Sequence, residues 1–205
     1  TDMLKNCQLC PRACGADRTK SRGACGAGIE IEAARASLHM WEEPPISGTN
    51  GSGTVFSLIA RSAVCSAKPQ DQPQRGRGTE HYADALAKPF SLWRKVRITS
   101  TLLPAPYVPQ IIEALQIARK QGLSLPVVYN SSGYEQVETL QLLDGHIDVY
   151  LPDYKYYSSY YAGLYSHAED YREFAVPAID DGAPEGAPQF DKNGLLKRGS
   201  GHPAF

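Results

Sequence analysis

Gly48-Thr-Asn-Gly-Ser-Gly-Thr-Val-Phe56 followed by Ser57-Leu-Ile-Ala-Arg-Ser-Ala-Val-Cys-Ser-Ala-Lys68 is the stretch on which the fold turns. Its first half reads as a glycine-rich turn that feeds a buried strand over Thr54–Phe56. Its second half has no period of two or of 3.6 and dissolves into Lys68-Pro-Gln-Asp-Gln-Pro-Gln74. The genetic code offers a cause. If one nucleotide is lost just after the Phe56 codon, regrouping the codons of Ser57–Lys68 permits Phe-x-His-Cys-Thr-Leu-Gly-Cys-Val-Phe-Cys-Gln. The new cysteines stand where Ala60, Val64 and Ala67 now are, giving C-x3-C-x2-C. Lys95–Leu103, regrouped in the same phase, permits an ordinary loop and hydrophobic strand. We therefore read 57–103 as an out-of-frame insert in an otherwise sensible α/β sequence. As written, that segment holds one cysteine, Cys65, and its Pro, Gln and Arg content predicts a floppy excursion.

Length and composition bound the rest. The 205 residues suit one domain, or one domain with a small appendage. Hydrophobic residues make up 42% and charged residues 21%, which is globular composition. A net charge of −1 gives no basic field for nucleic acid. No apolar run approaches the roughly 20 residues of a membrane helix. No signal peptide is visible, and Thr1 is not a natural start, so the true N-terminus is expected upstream. Four of the five cysteines fall in residues 7–25, which suits metal ligands in a reducing compartment, hence a cytoplasmic setting, more than a disulfide framework.

Residues 1–28 read as a Cys-rich segment. Cys7 and Cys10 form a C-x2-C turn, Cys14 follows closely, and Cys25 returns across the loop as a fourth ligand. Thiolates select zinc or iron–sulfur clusters; reduced free thiols in a loop are the alternative. Ile29 and Ile31 alternate and suggest a short strand. His39, Glu42 and Glu43 precede Pro44-Pro45 and read as a solvated strand end with one packed His, rather than as metal ligands or an acid/base pair. Gly48–Gly53 lacks the Gly-Lys-Ser/Thr of a phosphate loop.

From Pro104 the chain is legible. Pro109 opens a helix with Ile111, Ile112, Leu115 and Ala118 on one face, and Gly122 stops it. Leu125–Tyr129 and Ile147–Leu151 suit strands buried on both faces. A helix carrying Val137, Leu140 and Leu143 lies between them, and another surrounds Ala168–Ile179. Strand and helix alternating at this spacing mean parallel βαβ units. Working residues of such folds lie at the carboxyl ends of strands, which singles out Asn130, Ser132, Asp153 and Lys155. The tyrosines between Tyr154 and Tyr165 read as a packed loop, because Lys and Arg are not interleaved enough for base stacking. In the tail, Gln189–Gly199 reads in frame, while Asp181–Gly186 and His202–Phe205 regroup like 57–103.

Four in-frame motifs carry a resemblance: Cys7-Gln-Leu-Cys10-Pro-Arg-Ala-Cys14-Gly15; Leu38-His-Met-Trp-Glu-Glu-Pro-Pro-Ile-Ser-Gly48; Pro126-Val-Val-Tyr-Asn-Ser-Ser-Gly-Tyr-Glu135; and Asp148-Val-Tyr-Leu-Pro-Asp-Tyr-Lys-Tyr156. Together they resemble the radical SAM superfamily, in the branch similar to pyruvate formate-lyase activating enzymes. The resemblance implies a partial (βα)6 barrel over 29–205, incomplete here, behind the Cys-rich segment. It implies a [4Fe–4S] cluster on a C-x3-C-x2-C loop after the first barrel strand, with S-adenosylmethionine (SAM) on its fourth iron. It implies reductive cleavage of SAM to a 5′-deoxyadenosyl radical, a protein substrate, and an electron donor such as flavodoxin or ferredoxin. By similarity Asn130 and Ser132 lie on the edge that handles SAM, and Asp153 and Lys155 contact its amino-acid end. Cys7, Cys10, Cys14 and Cys25 match an N-terminal segment of related proteins, open to an accessory cluster, to zinc, or to neither. This chain lacks the three-cysteine loop as spelled, so it is expected to be inactive as written. The alternative is a non-catalytic four-cysteine metal-binding fragment.

Overall fold

A computed structural model describes residues 2–31, 33–57, 99–102, 105–181 and 187–200. The frame-shifted readings at 58–98, 182–186 and 202–205, with Cys65, lie outside the described residues. Among the described residues seven strands hydrogen-bond in one order: β1 (Ala33–His39), β2 (Ser52–Ser57), β3 (Thr99–Leu102), β4 (Val127–Ser131), β5 (Val149–Pro152), β7 (Leu196–Ser200) and β6 (Gln189–Phe190). The neighbours from β2 through β3, β4 and β5 to β7 are parallel. β1 and β6 are antiparallel flanks. Apart from the short β6, the strands lie side by side in chain order. Right-handed crossovers laid down in one direction keep their helices on one face of a sheet.

The packing has that one-sidedness. Helices α3 (Val108–Lys120), α4 (Val137–Gln141) and α6 (Tyr171–Asp180) meet the sheet in a single cluster. Ile111, Leu115, Leu140 and Ala178 pack there against Val55, Val127, Tyr129 and Tyr150. Each fully buried aliphatic side chain there contributes roughly 1.5–3 kcal/mol. The opposite face holds Val128, Val149 and Leu151, covered by Ile46 of the short helix α2 (Pro44–Ser47) and by Leu195 and Leu196. Val127 and Tyr129 thus face the crossover helices, and Val128 and Asn130 face away from them.

Several sequence expectations move. No strand forms at Ile29 and Ile31: Ile29 is exposed, Ile31 is buried in the helix-side core, and the strand begins at Ala33. β4 starts two residues later than expected, so Asn130 and Ser131 belong to the strand and not to a turn. The expected helix at Ala168–Ile179 is α6, and an unforeseen helix α5 (Ser159–Ser166) precedes it. The tyrosine run is therefore not one packed loop. Tyr154 and Tyr156 pack on Tyr171, whereas Tyr157, Tyr160, Tyr161 and Tyr165 are exposed. Ala162 and Ser166 supply the buried side of α5.

The Cys-rich segment is tied to this body. Arg12 donates to the carbonyls of Ser166 and His167, Gln136 to that of Cys10 at 2.8 Å, and Gln110 to that of Ile29 at 2.7 Å. Ala27 is in the helix-side core, and Cys25 packs against it. Among the described residues no helix is long and apolar enough to cross a membrane.

Candidate functional site

The carboxyl ends of β4 and β5 are adjacent, with Asn130 in register with Leu151 and Ser131 with Pro152. Asn130 ends β4 on the face away from the crossover helices, and its amide donates to Glu42 Oε1 at 3.1 Å. Glu42 reaches that position because the chain turns inward after β1 and Pro44-Pro45 start α2 beneath the sheet. The solvated reading of Glu42 is thus corrected. Its Oε2 is buried, without a hydrogen-bond partner among the described residues. Burial pushes the Glu42 carboxyl above its ordinary value; His39 and the Asn130 amide oppose this, and the negative charges of Glu43 and Asp153 add to it. A buried carboxylate oxygen without a donor is costly, and a bound ligand carrying N–H or O–H groups would supply one. The signal in the sequence was the acidic residue ahead of a Pro-Pro turn, which reads equally well as a surface loop.

Asp153 and Lys155 form a half-exposed ion pair just beyond β5. The buried hydroxyl of Tyr171 ties this pair to β4. It accepts from the Lys155 backbone N–H at 2.7 Å, and it lies 2.8 Å from the Ser132 carbonyl and 3.1 Å from that of Asp153, to which it donates. Ser132 therefore enters through its carbonyl. Gly133 is needed at this crossing: its φ is +74°, and a Cβ there would stand 3.1 Å from the Asp153 carbonyl oxygen. Asn130, Ser132, Asp153 and Lys155 are thus brought to one rim, with Glu42 joining them.

Behind the rim, on the helix side, lies a second carboxyl. Tyr129 donates to Glu135 Oε1 at 2.9 Å, and Oε2 has no direct partner among the described residues. Burial pushes Glu135 up to about 7, against the lowering effect of the Ser131 and Tyr129 hydroxyls. The folded chain therefore holds this proton between about 4.5 and 7 while the unfolded chain releases it. Stability contributed by the protonated form is present below the unfolded value and lost as pH rises through the folded one. The expected loss is roughly 3 kcal/mol across that window. Urea titrations at pH 5 and pH 8 should show it in the wild-type chain and not in Glu135→Gln; equal pH slopes in both would contradict the assignment.

The four N-terminal cysteines form no disulfide among the described residues: Cys7 is buried, Cys10 and Cys25 are half-buried, and Cys14 is exposed. Among the described residues no three His, Cys, Asp or Glu side chains stand in ligating positions around one point. Cys14 and Cys25 nevertheless flank Gly23, each Sγ 3.6 Å from where a Cβ on that residue would lie. Arg18 places Nη1 3.7 Å from Cys7 Sγ. Burial, reinforced by the other three thiols, pushes Cys10 up to about 11 despite a hydrogen bond from the Arg12 backbone. The [4Fe–4S] loop implied by the resemblance does not fit this chain: after β2 the spelled residues supply only Cys65 through 103, and three thiolates are required.

No protein-family profile matches the chain, and no solved structure matches it. An uncharacterized protein of Methanocaldococcus jannaschii is 25% identical over 162 residues, which cover 76% of this chain and 47% of that protein. The chain spans about half the length of the curated relative it matches.

Proposed function

We propose that the in-frame part of this chain is the SAM-binding portion of a radical SAM protein of the activating-enzyme type, a partial (βα)6 barrel that is catalytically silent as spelled. The carrying observation is the rim itself. Glu42, Asn130, Asp153 and Lys155 gather at the carboxyl ends of parallel strands, and Glu42 Oε2 is buried without a donor among the described residues. Strand ends are where parallel α/β sheets bind ligands. Successive parallel strands with crossover helices on one face also support a barrel-type winding over a doubly wound one.

The donor chemistry fits SAM. Its ammonium or ribose hydroxyls would give Glu42 the missing hydrogen bond. Its carboxylate suits the Lys155 ammonium, and Asp153 suits its cationic end. Lys155 and Asp153 now neutralise each other, so binding exchanges one ion pair for two at a half-exposed site. No reaction step is assigned to this chain, because the cluster that supplies the electron has no ligand loop here. A protein substrate and a flavodoxin- or ferredoxin-type donor belong to the frame-restored protein.

Equilibrium dialysis with labelled SAM tests the binding claim. The chain as written should bind SAM saturably, and Asp153→Ala should weaken it by about tenfold or more, about 1.4 kcal/mol. Absence of saturable binding, or equal binding by Asp153→Ala and Asn130→Ala, would overturn the reading.

A further inference from the structure

A C-x2-C spacing such as that of Cys7 and Cys10 is where thiol redox chemistry is usually sought. The fold withdraws that pair and offers another. Cys7 is 3% exposed, and Cys10 is half-buried. Cys14 is exposed, and Cys25 is half-buried. These last two border Gly23: a Cβ there would lie 3.6 Å from each Sγ, with the Ala27 carbonyl oxygen next at 3.8 Å. Two sulfurs therefore face one gap that a glycine leaves open.

The backbone fixes both sides of the gap. The Cys7 N–H donates to the Ala16 carbonyl and the Gly15 N–H to that of Cys7, which holds the turn bearing Cys14. The Gly23 N–H donates to the Ala27 carbonyl and the Gly26 N–H to that of Gly23, which puts Cys25 in a tight turn. The Ala24 N–H, beside Cys25, hydrogen-bonds to the Cys14 sulfur, as does that of Ala16. Arg18 is 1% exposed and pairs with no carboxylate among the described residues. It donates to the carbonyls of Gly28 and Pro106 and lies 5.2 Å from the centroid of the Tyr107 ring. Its charge acts on Cys14 and on Cys25. An accessible thiol beside a cation and backbone donors is the setting of a reactive cysteine. A second thiol across a gap is the setting of its resolving partner.

We propose that Cys14 and Cys25 are a redox-sensitive dithiol that a hydroperoxide closes to an intramolecular disulfide. Cys14 sulfur attacks a peroxide oxygen and the O–O bond breaks. The sulfur becomes a sulfenic acid, and the other oxygen leaves as water or an alcohol. Cys25 sulfur then attacks that of Cys14, the S–O bond breaks, and a second water leaves with the remaining thiol proton. Two thiols are oxidised and one peroxide is reduced. A disulfide brings its sulfurs to about 2 Å, so the Cys14 side chain must turn into the gap, which its exposure permits. In a reducing compartment such a bond is transient and suits sensing better than scaffolding. The proposal does not depend on SAM binding.

The full chain in a Cys65→Ser background is reduced, treated with chelator and desalted. It is then exposed to equimolar hydrogen peroxide, quenched with an alkylating agent and digested with trypsin. Cleavage after Arg12, Arg18 and Arg22 puts Cys14 and Cys25 on separate peptides, away from Cys7 and Cys10. Mass spectrometry should find Ala13–Arg18 joined to Gly23–Arg35, and a thiol reductant should part them. Cys25→Ser should leave a Cys14 sulfenic acid that dimedone traps. Gly23→Val, which fills the gap, should slow closure at least tenfold, while Cys7→Ser should leave its rate unchanged. No disulfide in the wild-type chain, or a Cys7–Cys10 bond forming ahead of Cys14–Cys25, overturns the proposal.

Discussion

A chain rebuilt with one base restored after the Phe56 codon, and the later frame change near codon 103 reversed, should be brown when purified without oxygen. It should release 5′-deoxyadenosine from SAM under a low-potential reductant. The chain as spelled should release none. The reason is positional. β2 runs parallel to β3, β4 and β5, so its carboxyl end at Ser57 lies on the same edge as Asn130 and Asp153. Three thiolates spelled there would sit beside the rim that we assign to SAM; Cys65 alone cannot hold a cluster. The expected gain is that of an enzyme over no enzyme, roughly 10^6-fold or more. The nucleotide sequence across codons 54–106 is the first check. If no single-base change places cysteines at 60, 64 and 67, the radical chemistry has no ligands. If the rebuilt chain holds iron yet forms no 5′-deoxyadenosine with any reductant, the catalytic assignment fails.

What could be read from the sequence was whatever local chemistry decides. α3 was bracketed by Pro109 and Gly122, and its buried side is Ile111, Ala114, Leu115 and Ala118, close to the face expected. The parallel order followed from two Val-rich strands separated by helical spacing, and strand ends then pointed to Asn130, Asp153 and Lys155. What failed was decided by tertiary partners. β1 is a flanking strand whose sequence, Ala-Ala-Arg-Ala-Ser-Leu-His, has no apolar alternation; pairing with β2 makes it a strand. Ile29 and Ile31 have the alternation, but the Ile29 carbonyl is satisfied by Gln110 in place of a ladder. Register in β4 was set by β5, which carries the strand through Asn130 and Ser131. Glu42 was set aside as solvated and Tyr171 was not singled out, because each acts across a long sequence separation. Nothing local in the sequence shows that Arg18 is buried.

Arg18→Met should destabilise the folded chain by about 3–5 kcal/mol, although the new side chain is apolar and similar in length, because it orphans two buried carbonyls and loses a ring contact. The Gly28 carbonyl accepts from both Nε, at 3.1 Å, and Nη2, at 2.7 Å, and the Pro106 carbonyl accepts from Nη1. Methionine satisfies neither, and a buried acceptor left without a donor costs roughly 1–3 kcal/mol. Contact with the Tyr107 ring adds a smaller loss, about 1–2 kcal/mol. Lysine should recover only part, since an ammonium has no planar fork with which to meet both carbonyls. For a chain of this size each kcal/mol moves the melting temperature by about 2–4 °C, so a drop on the order of 10 °C is expected. Proteolysis within residues 16–28 should accelerate in parallel, because Arg18 joins that segment to the turn before α3. A melting curve for Arg18→Met that overlays the wild-type curve would mean that the guanidinium is solvated, and that the Cys-rich segment is held without it.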